Sequence, residues 1–337
     1  MFVPIGIIIN LSEKIDNFAE QKVPLDEILF FYFNFVIHFA NLLFPILLFL
    51  SVIWFTSKLA NNSEIIAFLS SGVSFMRFLR PYLIGASIVF IIALSFSMYI
   101  YPKSSEGYNS FYYKYLKSSE SVRDTKDIFR QINENEYIYA SSFNPKNSTA
   151  YNFRLEHFEG DKMKFKIEAN QIKFNKDSLN YTLKAYFKRV IGPTEDKIIK
   201  LSKLDTVLPF ELEELTPTIY AAESKNYLEL LEFIEDEKRR GSPFLNLYMI
   251  DLYKRWSVPV STFILTIIAV AVSSFKKRGG MGINLAIGIV IAFSYVFLDK
   301  VFGTIAEKSD FSPFIAVWLS NIVFGIIAII LLQRAKR

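Results

Sequence analysis

The stretch Lys58–Pro81, KLANNSEIIAFLSSGVSFMRFLRP, decides how this chain is arranged. It joins two long apolar runs and carries Lys58, Arg77 and Arg80 against a single acid, Glu64. Short loops rich in Lys and Arg stay on the cytoplasmic side of a membrane. The flanking runs therefore read as two spanning helices joined inside the cell. The loop has a helix signal of its own. Asn62 or Ser63 can cap it, Glu64 suits the positive first turn, Ile65, Ile66, Phe68 and Leu69 supply an apolar face, and Gly72 is a natural stop. Ser74 can then cap the helix that follows. A short amphipathic helix in this position is either a surface offered to a cytosolic partner or a turn lying on the headgroups.

Working outward, the run Ile28–Ser57 is longer than a crossing needs and contains Pro45, which predicts a tilted or kinked span. The run Phe78–Tyr101 returns outward, with Tyr99 and Tyr101 at interfacial positions. At the start, MFVPIGIII supplies about nine apolar residues, roughly 13 Å of helix against a hydrocarbon core of about 30 Å. An acidic segment with Glu13, Asp16, Glu20, Asp26 and Glu27 follows, as suits the outer face. The start therefore reads as the outer half of a first span whose inner half is missing, as from a truncated or misassigned beginning. Three further spans are predicted at Trp256–Ser274, with Pro259 in its first turn, Ile283–Phe302 and Phe311–Leu332. Lys276, Lys277 and Arg278 put one loop inside, Glu307, Lys308 and Asp310 put the next outside, and Arg334, Lys336 and Arg337 put the tail inside. Every short loop agrees with one orientation.

Between Pro102 and Tyr253 no run is long and apolar enough to cross. Period-two alternation dominates instead, at Tyr137 and Tyr139, Phe153 and Leu155, Met163, Phe165 and Ile167, Ile172 and Phe174, and Tyr181, Leu183, Ala185 and Phe187. Turn chemistry interrupts it at NPKNS, EGDK and NKDS. The expectation is an antiparallel sandwich or jelly roll outside the membrane. A helix follows over 224–240, with Ser224 as cap and Gly241 as stop. The predicted fold class is thus an α-helical membrane protein with an inserted all-β domain. Residues 1–101 hold a partial first span, spans two and three, and an amphipathic helix at 63–71. Residues 102–253 hold the β domain, and residues 254–337 hold spans four to six.

The composition narrows the chemistry. A formal charge of +5 over 337 residues, with basic residues punctuating apolar runs, marks topology and argues against nucleic-acid binding. With no cysteine there is no disulfide, thiolate metal site or cysteine nucleophile. No phosphate-binding G-x-x-x-x-G-K-[ST], zinc-binding H-E-x-x-H or nucleophile elbow is found, so no catalytic residue, metal or cofactor is expected. His38 in the second span reads as a proton relay or a hydrogen-bonded packing residue, and His157 as a strand surface residue. Lys14, Lys254, Arg255 and Lys300, with Asp299, gather at the predicted outer interface. There they either snorkel to water or form a ring for an anionic headgroup. Gly282 and Ala286, Gly288 and Ala292, and Ala316 and Ser320 are small-residue packing pairs. Asn321, mid-span, needs a polar partner and points to contact with another subunit.

SEIIAFLSSG after the second span, KKRGG after the fourth and LDKVFG closing the fifth stand in a layout of three spans, β domain and three spans. In that order they resemble the lipopolysaccharide-export permeases of the LptF/LptG family, with LDKVFG leaning towards the LptG branch. The resemblance spans almost the whole chain, clearest over Leu11–Pro102 and Leu252–Arg337. It implies a permease without catalytic residues. Such a permease pairs with a second one of the same family, sits on a dimeric cytoplasmic ABC ATPase, and passes lipopolysaccharide to a periplasmic bridge protein of jelly-roll form. By position, Ser63, Glu64, Ile65, Ile66, Phe68 and Leu69 take the role of the ATPase-docking helix. The family's first-span basic residues contact lipid A phosphates. Asn10 falls at one such position here, with Lys14 one turn on, which departs from the pattern. The alternative reading is a membrane-anchored periplasmic sensor or envelope assembly factor whose β domain binds a ligand without translocation.

Overall fold

A computed structural model describes residues 2–116, 123, 125–175, 178–211, 216–275 and 280–335. The predicted inside markers Lys276, Lys277, Arg278, Lys336 and Arg337 lie outside these residues, as does most of KKRGG. Two compact units emerge: a helical unit of 1–111, 222–230 and 246–337, and a sheet unit of 112–221 and 231–245.

The helical unit begins with α1 (Phe2–Glu20) and α2 (Leu25–Asn61), then the short α3 (Glu64–Ser70) and α4 (Phe75–Ser95). A π-helical turn, Phe96–Ile100, carries α4 into α5 (Tyr101–Phe111) and a second such turn, Tyr112–Leu116. After the sheet come α6 (Tyr227–Arg240), α7 (Leu245–Ser273), α8 (Gly280–Lys308) and α9 (Pro313–Ala335). Among the described residues five helical stretches are long and apolar enough to cross a membrane: α2, α4 through Leu116, α7, α8 and α9. Helix α1 is not one of them. It nevertheless continues through the first half of the acidic segment, to Glu20, where Phe18 packs edge-on against Phe31 and Phe111 and holds this end against α2 and α5; Asp26 and Glu27 fall in the first turn of α2.

The helices overrun their apolar stretches. The third span continues to Leu116 where hydropathy stops at Tyr101, and α7 starts at Leu245 where hydropathy begins at Trp256. Pro259, predicted in a first turn, therefore lies well inside α7. The fifth span likewise extends to Lys308, absorbing most of the loop predicted outside. Hydropathy loses these ends because it scores each charged residue as if it faced lipid, whereas several find partners inside the protein. Pro45 also lies buried within a continuous α2.

The bundle packs on one apolar cluster that includes Phe49 and Ile53 of α2, Leu265 and Ile268 of α7, and Ala292 and Tyr295 of α8. Gly288 and Ala292 let α8 approach α2, as their spacing predicts. Gly282 and Ala286 are exposed. Asn321 overturns an expectation: Tyr295 donates to its Oδ1 at 3.0 Å, and its Nδ2 donates to the Ser257 carbonyl at 2.9 Å. Its partners lie in its own chain, so it gives no ground for a second subunit.

The sheet unit holds β1 (Lys126–Gln131), β2 (Glu136–Asn144), β3 (Thr149–Glu159), β4 (Lys162–Asn175), β5 (Asn180–Val190) and β6 (Lys197–Thr206). All neighbours are antiparallel and the spatial order follows the sequence, so the six strands form one meander without crossovers. A meander makes a core through a break in alternation. Buried residues run Ile138 and Ala140 then Phe143 in β2, Phe153 and Leu155 after Ala150 in β3, Ala169 then Ile172 in β4, and Tyr181 and Leu183 then Tyr186 in β5. The switch falls in one row, through the paired Ser142, Tyr151, Gln171 and Lys184, beside Asn152 and Ala185 with φ of 49° and 55°. Strands that change their inward face along a line build a corner, so both halves feed a single cluster. This is why Ala185 and Phe187, predicted inward, do not join it.

Caps differ in detail from expectation. Asn226, not Ser224, caps α6: its Oδ1 accepts from the backbone of Leu228 and Glu229, while Glu229 accepts from the Asn226 backbone. Gly241, at φ +69°, ends that helix as predicted.

A β-carbon at Gly288 would overlap Ile53 Cδ1, and Ile53 is fully buried. Gly288→Leu is expected to lower the thermal midpoint of the detergent-purified protein, equivalent to about 1–3 kcal/mol of overpacking. Adding Ile53→Ala should recover part of that loss; a midpoint unmoved by Gly288→Leu would contradict this packing.

Candidate functional site

The helical unit encloses a cavity of 380 Å³. Its walls come from mid-α2, the π-helical turn with the start of α5, Glu223, the first half of α7 and the second half of α8. Helical spacing builds two of these walls. Asp251, Lys254, Arg255 and Val258 follow the i, i+3, i+4, i+7 rule on α7, and Tyr295, Asp299, Gly303 and Glu307 recur every fourth residue on α8. Two prolines add backbone polarity. Pro45 and Pro259 have no N–H for the carbonyls four residues earlier, those of Asn41 and Arg255, and both of these residues line the cavity. The π-helical turn contributes Ser97 and leads into Tyr101.

The charges are specifically held. Lys254 Nζ lies 2.9 Å from Asp299 Oδ2, so the lysine is paired across α7 and α8 instead of reaching for water. Arg255 is 3% exposed. One of its terminal nitrogens, Nη2, donates to the carbonyls of Ala222 and Lys225, tying down the segment that returns from the sheet. Its other terminal nitrogen, Nη1, has no hydrogen-bond partner among the described residues. In the same segment Glu223 Oε2 accepts from Ser105 Oγ at 2.8 Å and Asn109 Nδ2 at 3.1 Å, which anchors the segment to α5. Lys300 is exposed and makes no ion pair among the described residues.

Three of the four predicted headgroup residues, Lys254, Arg255 and Lys300, thus line one cavity. Lys14 is not among its lining residues and sits half-buried on α1, where Asn10 accepts a hydrogen bond from Tyr32 at 3.3 Å. Sequence reasoning missed the carboxylates Asp251 and Glu223. The first was legible as a helical neighbour of Lys254 and Arg255; the second, far along the chain from its partners, had no local signal. His38 also lines the cavity. Its ring stacks on Tyr108 at 4.6 Å and on Tyr101 at 5.6 Å, and its Nδ1 has no hydrogen-bond partner among the described residues. His157 stacks on Phe165 and meets Glu136 at 3.2 Å on the sheet. No cluster of three or more metal-ligating side chains occurs among the described residues.

Helix α3 is the second candidate site. Ser63, expected as a side-chain cap, instead has a left-handed backbone (φ 64°) and no capping hydrogen bond; Asn62 Nδ2 donates to Glu64 at 3.0 Å. Gly72, at φ +83°, ends the helix, and the Ser74 hydroxyl accepts from Arg77 N, both as predicted. Ile65 is buried at 1% exposure among Ala60, Phe75, Phe78, Leu79, Val270 and Ala335, with Leu69 packed beside it. Glu64, Ile66 and Phe68 are exposed, the two apolar side chains by 49% and 42%. One face of a seven-residue helix is therefore fixed in the bundle while the other presents an acid and two apolar groups.

Arg255→Met would leave the carbonyls of Ala222 and Lys225 without their donor. Hydrogen bonds to a charged group contribute about 1.5–3 kcal/mol. The expected outcome is faster amide hydrogen exchange over residues 222–230 while α9 keeps its protection. Equal protection of 222–230 in variant and parent would contradict the anchoring role.

Comparison with known proteins fits this architecture. Residues 1–334 match the family model described as Lipopolysaccharide export system permease LptF/LptG. No curated protein matches the chain. With a family match over nearly its full length, a multi-pass helical frame and an inserted antiparallel sheet, the chain belongs to the LptF/LptG family of lipopolysaccharide export permeases.

Proposed function

We propose that the chain is the transmembrane permease subunit of an ABC exporter that extracts lipopolysaccharide from the inner membrane and hands it to a periplasmic bridge protein. In this reading the sheet unit lies in the periplasm and a second permease of the same family completes the transport path. A dimeric cytoplasmic ATPase supplies the work. Work is needed because each buried CH₂ favours membrane residence by about 0.8 kcal/mol, and a multi-chain lipid has many. The observation that carries the proposal is the division of α3: Ile65 is locked into the cluster that joins α2, α4, α7 and α9, while Glu64, Ile66 and Phe68 stay exposed to meet a groove on the motor. A helix fixed on one face passes a push into the spans instead of swivelling.

Lys254, Arg255 and Lys300 take the headgroup at the cavity, with Lys14 contributing from α1. Lys300, in no ion pair among the described residues, and Arg255 Nη1, without a hydrogen-bond partner among them, are the donors with capacity to spare. Lys254 takes part through its pair with Asp299, which holds the cavity wall in shape beside the headgroup.

Glu64→Arg and Phe68→Asp should each reduce co-purification of the cytoplasmic ATPase and ATP-driven lipopolysaccharide release from membranes by about tenfold or more, leaving the amount of folded permease unchanged. Undiminished ATPase association and release in both variants would remove α3 as the docking helix. A chain purified as a lone homodimer without ATPase would favour the sensor or assembly-factor reading.

A further inference from the structure

Apart from the charged cavity, the helical unit carries an apolar groove of 570 Å³ between α2 and α4. One wall runs from Leu48 to Leu59 on α2 and the other from Phe78 to Val89 on α4, with Thr266 of α7 also lining it. Each wall rises about 17 Å, close to the depth of one leaflet of the hydrocarbon core, about 15 Å. The few polar groups of the lining are already engaged or enclosed. Ser51 Oγ donates to the Leu47 carbonyl at 2.7 Å, the Tyr82 hydroxyl accepts from Thr56 at 3.0 Å, and the Thr266 hydroxyl is buried. An occupant therefore meets carbon surface. The groove is also open: Phe55 is exposed, and a β-carbon at Gly85 would find no atom within 4 Å.

Two cations stand at one end of this groove. On α2, Lys58 lies two turns beyond Ser51 and one beyond Phe55; on α4, Arg77 lies one turn before Pro81. Leu59 and Phe78 pack in one cluster at the α3 end, so both cations fall at that end. Both are exposed and neither is in an ion pair among the described residues. Glu64, the one acid between positions 58 and 81, is bonded to Asn62. The groove also touches the mount of α3, because Val52, Leu59, Phe78 and Tyr82 line it and pack in the cluster that holds Ile65.

We infer that this groove holds an anionic glycerophospholipid of the cytoplasmic leaflet, with one acyl chain along α2 and α4 and its phosphate at Lys58 and Arg77. Packed there, the lipid braces α3. The choice of leaflet rests on the permease reading, whereas the groove and its cations do not. A second spanning helix would call for a groove about twice as long, matched to the full core of about 30 Å. One leaflet's depth, ending at exposed cations, fits a lipid.

The test uses the complete permease complex in detergent, with phosphatidylglycerol carrying a photoactivatable diazirine at mid-chain as the probe and mass spectrometry of the labelled peptides as the readout. Labelling should concentrate on residues 48–59 and 78–89. Unlabelled phosphatidylglycerol should compete about tenfold better than phosphatidylcholine, on the scale of two basic groups near an anionic headgroup. Lys58→Gln combined with Arg77→Gln should remove that preference. Gly85→Trp should fill the groove and cut labelling about tenfold; the open space at Gly85 keeps this arm informative if the double variant misfolds. Amide exchange over α3 should slow when phosphatidylglycerol is added to the parent, and not in the double variant. Labelling spread evenly over the exposed helices, or undiminished by Gly85→Trp, overturns the inference. So does a lipid preference that survives loss of both cations, α3 exchange unmoved by the lipid, or a groove shielded from the probe by a second permease chain. Any of these in a complex that still releases lipopolysaccharide with ATP leaves the permease reading standing. A complex that labels as expected yet shows no ATP-driven release overturns that reading and keeps the lipid site.

Discussion

A charged side chain at the edge of a spanning helix must be matched inside the protein or drawn to water, and this constraint organises the helical unit. Lys254 is matched by Asp299, Arg255 by the carbonyls of Ala222 and Lys225, and Glu223 by Ser105 and Asn109. Each match links elements distant in sequence: α7 to α8, α7 to the segment returning from the sheet, and that segment to α5. Elsewhere α2, α7, α8 and α9 meet through apolar contacts centred on Phe49, Ile53 and Leu265. Dispersion fixes the distance between helices, while a hydrogen bond to a buried charge fixes which carbonyl it meets. The polar matches therefore supply specificity at the cavity, and the apolar cluster supplies bulk cohesion.

The same constraint explains what could be read in advance. Existence and order of the later spans were legible because long apolar runs have few alternative fates. Their ends were not, since Asp251, Lys254 and Arg255 look like lipid-excluded residues until their partners are known. Strands β2 to β5 were legible from alternation. Strands β1 and β6 were passed over, and β6 has an almost wholly exposed face that leaves little alternation to see. The corner in the sheet was hidden because it depends on backbone turns at Asn152 and Ala185, neither of which is glycine. Of the cavity, the basic members stood out by charge in apolar surroundings, whereas Glu223 acquires its role through contacts over a hundred positions away.

Helix α3 and the cavity lie on different walls of one mechanical frame. Ile65 packs with Phe75 and Phe78 of α4 and with Val270 and Ala271 of α7, and α7 carries Asp251, Lys254 and Arg255 in its first half. A displacement applied at α3 can therefore reach the charged wall along a single continuous helix. The interruptions at Pro259 and at the π-helical turn Phe96–Ile100 lie between the two ends of α7 and of the α4–α5 rod, and are the places where such helices bend. This gives a passive bundle a way to change cavity shape without any catalytic group of its own.

In the exporter proposed for this chain, α3 faces the cytoplasm and the sheet the periplasm. The chain has no native cysteine, so single cysteines report cleanly. Ser70→Cys on α3 and Lys200→Cys on exposed β6 should be labelled by a membrane-impermeant maleimide in opposite patterns. In intact spheroplasts Lys200→Cys should react and Ser70→Cys should react only after permeabilisation. Labelling of both in intact spheroplasts, or of neither, would contradict the account.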